Sequence, residues 1–303
     1  MIVIDAHSHL WLRQDTIVDG KEIRTTENGR SIFFGEEVQM LPPWLIDGKN
    51  SAEVFISNMN YAQVGAAVVV QEIIDGQQND YLMEVQQNYP DRFFCMGMPE
   101  FRGDNDYLAE ACSLVDKGFR GLAIPGHRLT DIPLNSPKMM QLFKEMEQRK
   151  VVLDICLADD AKQIGEMAEV IRECTNLKVA IGHFGLVTTP HWREQILLAR
   201  EGKNVYIESG GITWLYNSEF YPYPSAIRSI REAADMVGMD RLMWGSDYPR
   251  TITAITYRMS YDFISKSKEL TDKDKVMFLG ENAKQFYGFE AIPELPYIKN
   301  MSE

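Results

Sequence analysis

Eight short, near-continuously apolar runs recur along the chain, at residues 2–5, 66–71, 93–98, 119–124, 151–155, 178–182, 204–208 and 241–245. A strand with one face in water would alternate apolar and polar positions; these do not, so both faces are expected to be buried. Between the runs the spacing becomes helical, over residues 51–64, 80–89, 106–117, 136–149, 161–174, 191–201 and 225–237. Two more helical stretches, 256–270 and 271–286, close the chain. The punctuation agrees with this reading. Ser51 is an N-cap candidate, Gly118 and Gly238 end helices, and Thr271 with Asp274 resembles a capping box. Strands alternating with helices predict an α/β fold with a parallel sheet under helices. Eight strands permit closure into a (β/α)₈ (TIM) barrel, which needs roughly 250 residues plus insertions; the chain has 303. An open doubly wound sheet is the alternative, but no Gly-x-Gly-x-x-Gly follows the first strand.

Two segments break the rhythm. Residues 10–50, after the first strand, read as a long irregular insertion carrying Trp11, Phe33, Phe34, Pro42, Pro43 and Trp44. The aromatic content argues against disorder and for a lid or specificity loop; a packed ornament or oligomer contact is the other reading. Residues 210–224, with Trp214, Tyr216, Phe220, Tyr221 and Tyr223, are expected to wall a pocket. Residues 1–288 then form one barrel domain, and 289–303 a surface tail in which Asn300-Met301-Ser302 fits a glycosylation sequon.

Charge narrows the partners. With 31 Lys and Arg against 44 Asp and Glu, the formal net charge is −13. Such a surface repels phosphate backbones, so a small-molecule substrate is expected rather than nucleic acid. No apolar run is long enough to span a bilayer, and residues 1–10 lack the features of a signal peptide. Cys95, Cys112, Cys156 and Cys174 form no Cys-x-x-Cys pair, as expected of free thiols in a reducing compartment. The expected location is therefore the cytoplasm. A homo-oligomer is compatible with all of this.

The candidate chemistry lies at strand ends, where barrels of this kind carry their functional side chains. His7 and His9 end the first run, and i, i+2 positions on a strand face the same way. The pair could share a divalent ion. His183 follows the sixth run and could polarise a carbonyl or shuttle a proton. Asp247 follows the eighth and could ligate a metal, act as a general base, or do both in turn. His127 is an open case, and His191 is read as structural. Gln71, Glu72, Arg128, Trp214, Tyr216 and Arg250 lie beyond strand ends and are expected to bind substrate, with the two arginines suited to a carboxylate. No Gly-x-Ser-x-Gly elbow is present.

Three stretches together, Val3-Ile4-Asp5-Ala6-His7-Ser8-His9-Leu10, Ile181-Gly182-His183-Phe184-Gly185 and Leu242-Met243-Trp244-Gly245-Ser246-Asp247-Tyr248-Pro249, resemble the amidohydrolase superfamily. The likeness is closer to its amidohydrolase-related branch, and within that to the lactone hydrolases. It implies a hydrolase that opens the lactone of a sugar acid or related carboxylated ring. Asp247 would be general base, His183 would stabilise the oxyanion, and His7, His9 and Asp247 would hold a divalent metal, zinc first and manganese second. The alternative within the branch is a metal-dependent non-oxidative decarboxylase of an aromatic or unsaturated acid. Those enzymes usually bear a further metal-binding His after strand five, where this chain reads Val152-Leu153-Asp154-Ile155-Cys156-Leu157-Ala158-Asp159.

Overall fold

The structure is a computed structural model that describes residues 1–299 and 301. Asn300 and Ser302 of the sequon lie outside the described residues.

All eight expected runs form strands. They are β1 (Ile4–Ser8), β6 (Ala66–Val69), β7 (Phe93–Cys95), β8 (Gly121–Ile124), β9 (Val152–Ile155), β10 (Val179–Ile181), β11 (Val205–Glu208) and β12 (Leu242–Met243). Each pairs in parallel with its neighbour, in the orders β1-β6-β7 and β8-β9-β10-β11-β12. Parallel bridges join the two seams, Gly97 to Leu122 on one side and Ser8 to Tyr248 on the other. The result is an eight-stranded α/β barrel.

Burial on both faces explains the unbroken apolar runs. Ile4, Ala6, Ala66, Val68, Phe94, Met96, Ala123, Val152, Ala180 and Met243 fill the barrel interior. Their alternates, including Ala67, Val69, Leu153 and Ile181, pack outward against the helices. The helices begin and end where local chemistry provides for it. The Ser51 side chain accepts from Val54 N at the start of Ala52–Ala62, Gly118 takes φ 118° after Tyr107–Lys117, and the Thr271–Asp274 capping box is formed.

The insertion is not irregular. It folds as an antiparallel meander of β2 (Asp15–Val18), β3 (Lys21–Thr25), β4 (Arg30–Phe33) and β5 (Glu36–Gln39). Two-residue turns at Asp19-Gly20 and Phe34-Gly35 have both residues at positive φ, which matches the twist of a tight hairpin. Val18, Ile23, Phe33 and Phe34 pack on Ile73 and Met98, fixing the meander beside the ends of β6 and β7. Residues 290–299 are mostly exposed, and a few contacts anchor the tail. Phe289 is buried, Ile292 packs at the barrel bottom, and Pro296 O accepts from Gln63 Nε2 at 3.3 Å.

The helical stretch expected at 256–270 shortens to Met259–Ser265, and the last one is interrupted by a π turn at Met277–Glu281. That turn has a purpose in the packing. Phe278 O accepts from Trp244 N at 2.8 Å, and Asn282 Nδ2 donates to Met239 O and Leu242 O, so the C-terminal helix holds the strand that leads to Asp247. A Cβ on Gly280 would sit 2.1 Å from Ile2 O, a backbone atom that cannot swing away. Gly280→Ala is therefore expected to cost about 3 kcal/mol, the upper end for overpacking. Urea unfolding checks this; an unchanged midpoint would contradict it.

Candidate active site

The site grows from the pleat of β1. Ile4 and Ala6 take the inner face, but the register shifts between Asp5 and Ser8, and past this irregularity His7, inside the strand, and His9, just beyond it, both line the barrel mouth. Each ring is held from behind by a carboxylate: Glu208 Oε1 lies 2.9 Å from His7 Nδ1, and Asp75 Oδ2 lies 2.8 Å from His9 Nδ1. The Nδ1–H groups donate to these acceptors, which leaves the two Nε2 atoms facing inward, 3.2 Å apart. Asp247 Oδ1 lies 3.1 Å from His9 Nε2 and 3.7 Å from His7 Nε2. Two imidazole nitrogens and a carboxylate oxygen thus converge within 4.8 Å of one another. Carboxylates behind metal-binding histidines fix the tautomer with an Nε2 lone pair and raise its basicity. Donor set and backing both fit a divalent ion, so His7, His9 and Asp247 are the residues that would hold one.

Charge in this cluster is tightly matched. Burial pulls the His7 pKa down, but Glu208 more than reverses it and leaves the group at about 9. His9 is also raised, by Asp75 and Asp247 against the effect of burial. Burial pushes Asp247 up, yet His9, His183 and His7 together hold it well below the usual carboxylate range.

His183 stands beside this group, its ring 4.6 Å from that of His7. Its Nδ1–H donates to Gly210 O at 2.8 Å, and its backbone N–H donates to Glu208 Oε1 at 2.8 Å. Burial, then the neighbouring His7, lowers its pKa, which favours the neutral ring. A neutral ring with Nδ1–H committed keeps a bare Nε2. It accepts a proton; it cannot donate to an oxyanion until it has one. His183 and Asp247 also share an unusual backbone, with φ of 54° and 56°. Such strain in non-glycine residues clusters at functional sites.

Asp247 is aimed by its neighbours. Trp214 Nε1 donates to Oδ2 at 2.6 Å, and the Arg250 guanidinium stacks over the Trp214 ring at 3.8 Å. Behind it, Asp5 accepts from Ser246 N, Ser246 Oγ, Tyr257 Oη and His7 N, tying β1 to the turn that bears Asp247. Gly245 lets these parts approach, since a Cβ there would lie 2.7 Å from both Glu208 Oε2 and His7 Cβ.

These residues open on a cavity of about 210 Å³. His7, His9, His183, Asp247, Trp214, Arg250, Gln71, Glu72 and Arg128 all line it. Trp11 and Met40 of the insertion line it as well. Tyr216 does not. Its hydroxyl pairs with Ser229 Oγ at 2.6 Å, away from the mouth, which corrects the expectation that it binds substrate. Gln71 lines the wall, but both ends of its amide are engaged by Asn79, Met96 O and Gln78 N, so it shapes the cavity. Glu72 is paired with His127 Nε2 and Arg128 Nε, both at 2.9 Å. Arg128 is thus a partly neutralised cation at the rim.

The sequence reading missed Glu208, Asp75 and Asp154, and left His127 open. Glu208 and Asp154 carried a signal, a carboxylate at the end of an apolar strand. Asp75 carried none, because only folding of the short helix Ile73–Asp75 brings it under His9.

The Glu72 cluster makes a pH prediction. Burial raises the Glu72 pKa, but His127 and Arg128 outweigh it and bring it down to about 2 from 4.5. A depressed carboxylate stabilises the fold above its unfolded pKa, and the contribution is lost as pH falls toward the folded value. The stability gap between wild type and Glu72→Gln should be full at pH 6 and shrink on going from about pH 4.5 toward pH 2. Denaturant melts across that range check it; a gap that widens on acidification would contradict it.

The chain matches the family model described as Amidohydrolase over residues 4–289. No curated protein matches it. Solved structures do. A probable 2-pyrone-4,6-dicarboxylic acid hydrolase from Acinetobacter baumannii, with citric acid bound, is 21% identical over 95% of this chain and 100% of that one, with a TM-score of 0.69. An amidohydrolase from Burkholderia multivorans with bound zinc is 16% identical over 95% and 99%, with a TM-score of 0.69. A 5-carboxyvanillate decarboxylase from Novosphingobium aromaticivorans with bound manganese is 16% identical over 78% and 81%, with a TM-score of 0.57. At these identities the structures establish the fold, and no helix among the described residues is long and apolar enough to cross a membrane. Metal binding thus occurs on this fold in structures like it, and the chain, by its near full-length match, belongs to the amidohydrolase family of α/β-barrel enzymes.

Proposed function

We propose that this protein hydrolyses a lactone, that of a sugar acid or a related carboxylated ring. One observation carries the reading. An ionised carboxylate, Asp247, aimed by Trp214, lies in the same cavity as a neutral His183, while the end of β9 offers Asp154 instead of an imidazole.

The roles follow from the geometry. Asp247 takes a proton from the attacking water. The new C–O bond forms at the carbonyl carbon, and the ring C–O bond breaks. His183, with a bare Nε2, is placed to receive the proton that Asp247 takes from water and pass it to the departing ring oxygen, which leaves as an alcohol. That fits the ring better than the oxyanion-holding role expected from the sequence. A divalent ion on His7, His9 and Asp247 would supply Lewis-acid polarisation of the carbonyl, and two nitrogens with one oxygen favour zinc over manganese.

The assay follows proton release and CO₂ together on panels of sugar lactones and aromatic acids. One proton per turnover from a lactone, with no CO₂, is the expected result. CO₂ evolution from an aromatic acid, with no lactone turned over, would establish the decarboxylase reading instead.

A further inference from the structure

Most polar groups around the cavity have partners; Asp154 does not. It occupies the inward face of β9, two residues after Val152, which packs in the barrel interior. Only 2% of it is exposed, it lines the cavity, and its Oδ2 is buried without a hydrogen bond. Its register partners on either side are Ala123 and Ala180, too short to reach over it. Buried carboxyl oxygens are almost always satisfied, because an unmade hydrogen bond there is costly. One left open at the floor of a pocket indicates a ligand that completes it.

The chemistry required of that ligand is narrow. Ionised, the carboxylate only accepts and needs a donor; protonated, its O–H also donates, and a hydroxyl group serves as partner in either state. His127 leaves a second group open: its Nε2 is engaged by Glu72, and its Nδ1 is buried with no partner in the wall of the same cavity. The arginines suited to a carboxylate are elsewhere, with Arg128 on Glu72 and Arg250 over Trp214, so a substrate carboxylate placed against Asp154 would meet a second carboxyl group with no guanidinium beside it.

Resting on the reading of this cavity as a lactone site, we infer that Asp154 is a specificity-determining residue that accepts a hydrogen bond from a substrate hydroxyl. The preferred ring is then a hydroxylated, sugar-like lactone, with any carboxylate it bears held at the rim.

The test separates binding from turnover. Binding of the gluco-, galacto- and manno-configured δ-lactams, which resist hydrolysis, is compared by calorimetry with that of 2-piperidone, the same ring without hydroxyls. In the wild-type chain the best sugar lactam should bind at least tenfold tighter than 2-piperidone. Asp154→Ala should reduce that ratio about tenfold, and Asp154→Asn, which keeps an acceptor oxygen, should retain part of it. Asp154→Ala removes an unsatisfied buried group, so its melting temperature should not fall; if that variant does not fold, Asp154→Leu takes its place. Equal affinities in the wild type, or a ratio that survives in Asp154→Ala, would overturn the assignment. Discrimination among lactams without hydrolysis of the matching lactones would overturn the proposed reaction and leave the hydroxyl contact standing.

Discussion

Asp247→Asn is expected to lower kcat on a hydrolysed lactone by about 10²–10⁴-fold, the usual contribution of a positioned general base. The asparagine is nearly isosteric and still accepts the Trp214 N–H, so the cavity keeps its shape. What disappears is the charge that His9, His7 and His183 face. The loss should therefore fall on kcat more than on KM, as for an interaction made mainly in the transition state. Full activity in Asp247→Asn would remove this carboxylate from the chemistry.

The second large effect is expected at Glu208, which touches no substrate. Its carboxylate is fully buried and accepts from His7 Nδ1, His183 N and Gly210 N. Glu208→Gln turns an amide N–H₂ toward donors, leaving buried groups unpaired and the His7 Nδ1–H without its carboxylate. Removing one partner of such a buried pair costs about 3–5 kcal/mol. Metal affinity, where an ion is bound, should fall about 10–100-fold with it. Chemical denaturation and metal titration of the variant measure the two losses. A variant as stable as wild type, with unaltered metal affinity, would show that Glu208 does not hold His7.

Much of this was legible in the chain because barrel strands advertise themselves. Buried on both faces, they cannot alternate, and every run between 2–5 and 241–245 folds as a strand. Their ends were less legible. Expected at 241–245, β12 covers only Leu242–Met243, because Gly245-Ser246-Asp247 leaves the ladder to bond with Asp5 and enter the site. The meander was missed because its strands are half-exposed and rich in charge, as in Glu36–Gln39. Asp19-Gly20 was a hairpin signal that could have revealed it. The inner residues His7, His9, His183 and Asp247 could be placed from strand ends alone. Asp75 and His127, behind and beside them, could not, since they matter through distances that no local spacing encodes. Tyr216 was misjudged for the same reason. It lies in the aromatic segment, but its hydroxyl finds Ser229, and Trp214 alone of the expected pair turns to Asp247.

His7, His9 and Asp247 are expected to form one divalent-metal centre at the barrel mouth, and equilibrium dialysis of zinc against the metal-stripped chain checks this. One tightly bound equivalent is predicted for the wild type, weakened at least tenfold in both His9→Ala and Asp247→Asn. Zinc bound with unchanged affinity in those two variants, or bound by neither them nor the wild type, would contradict it.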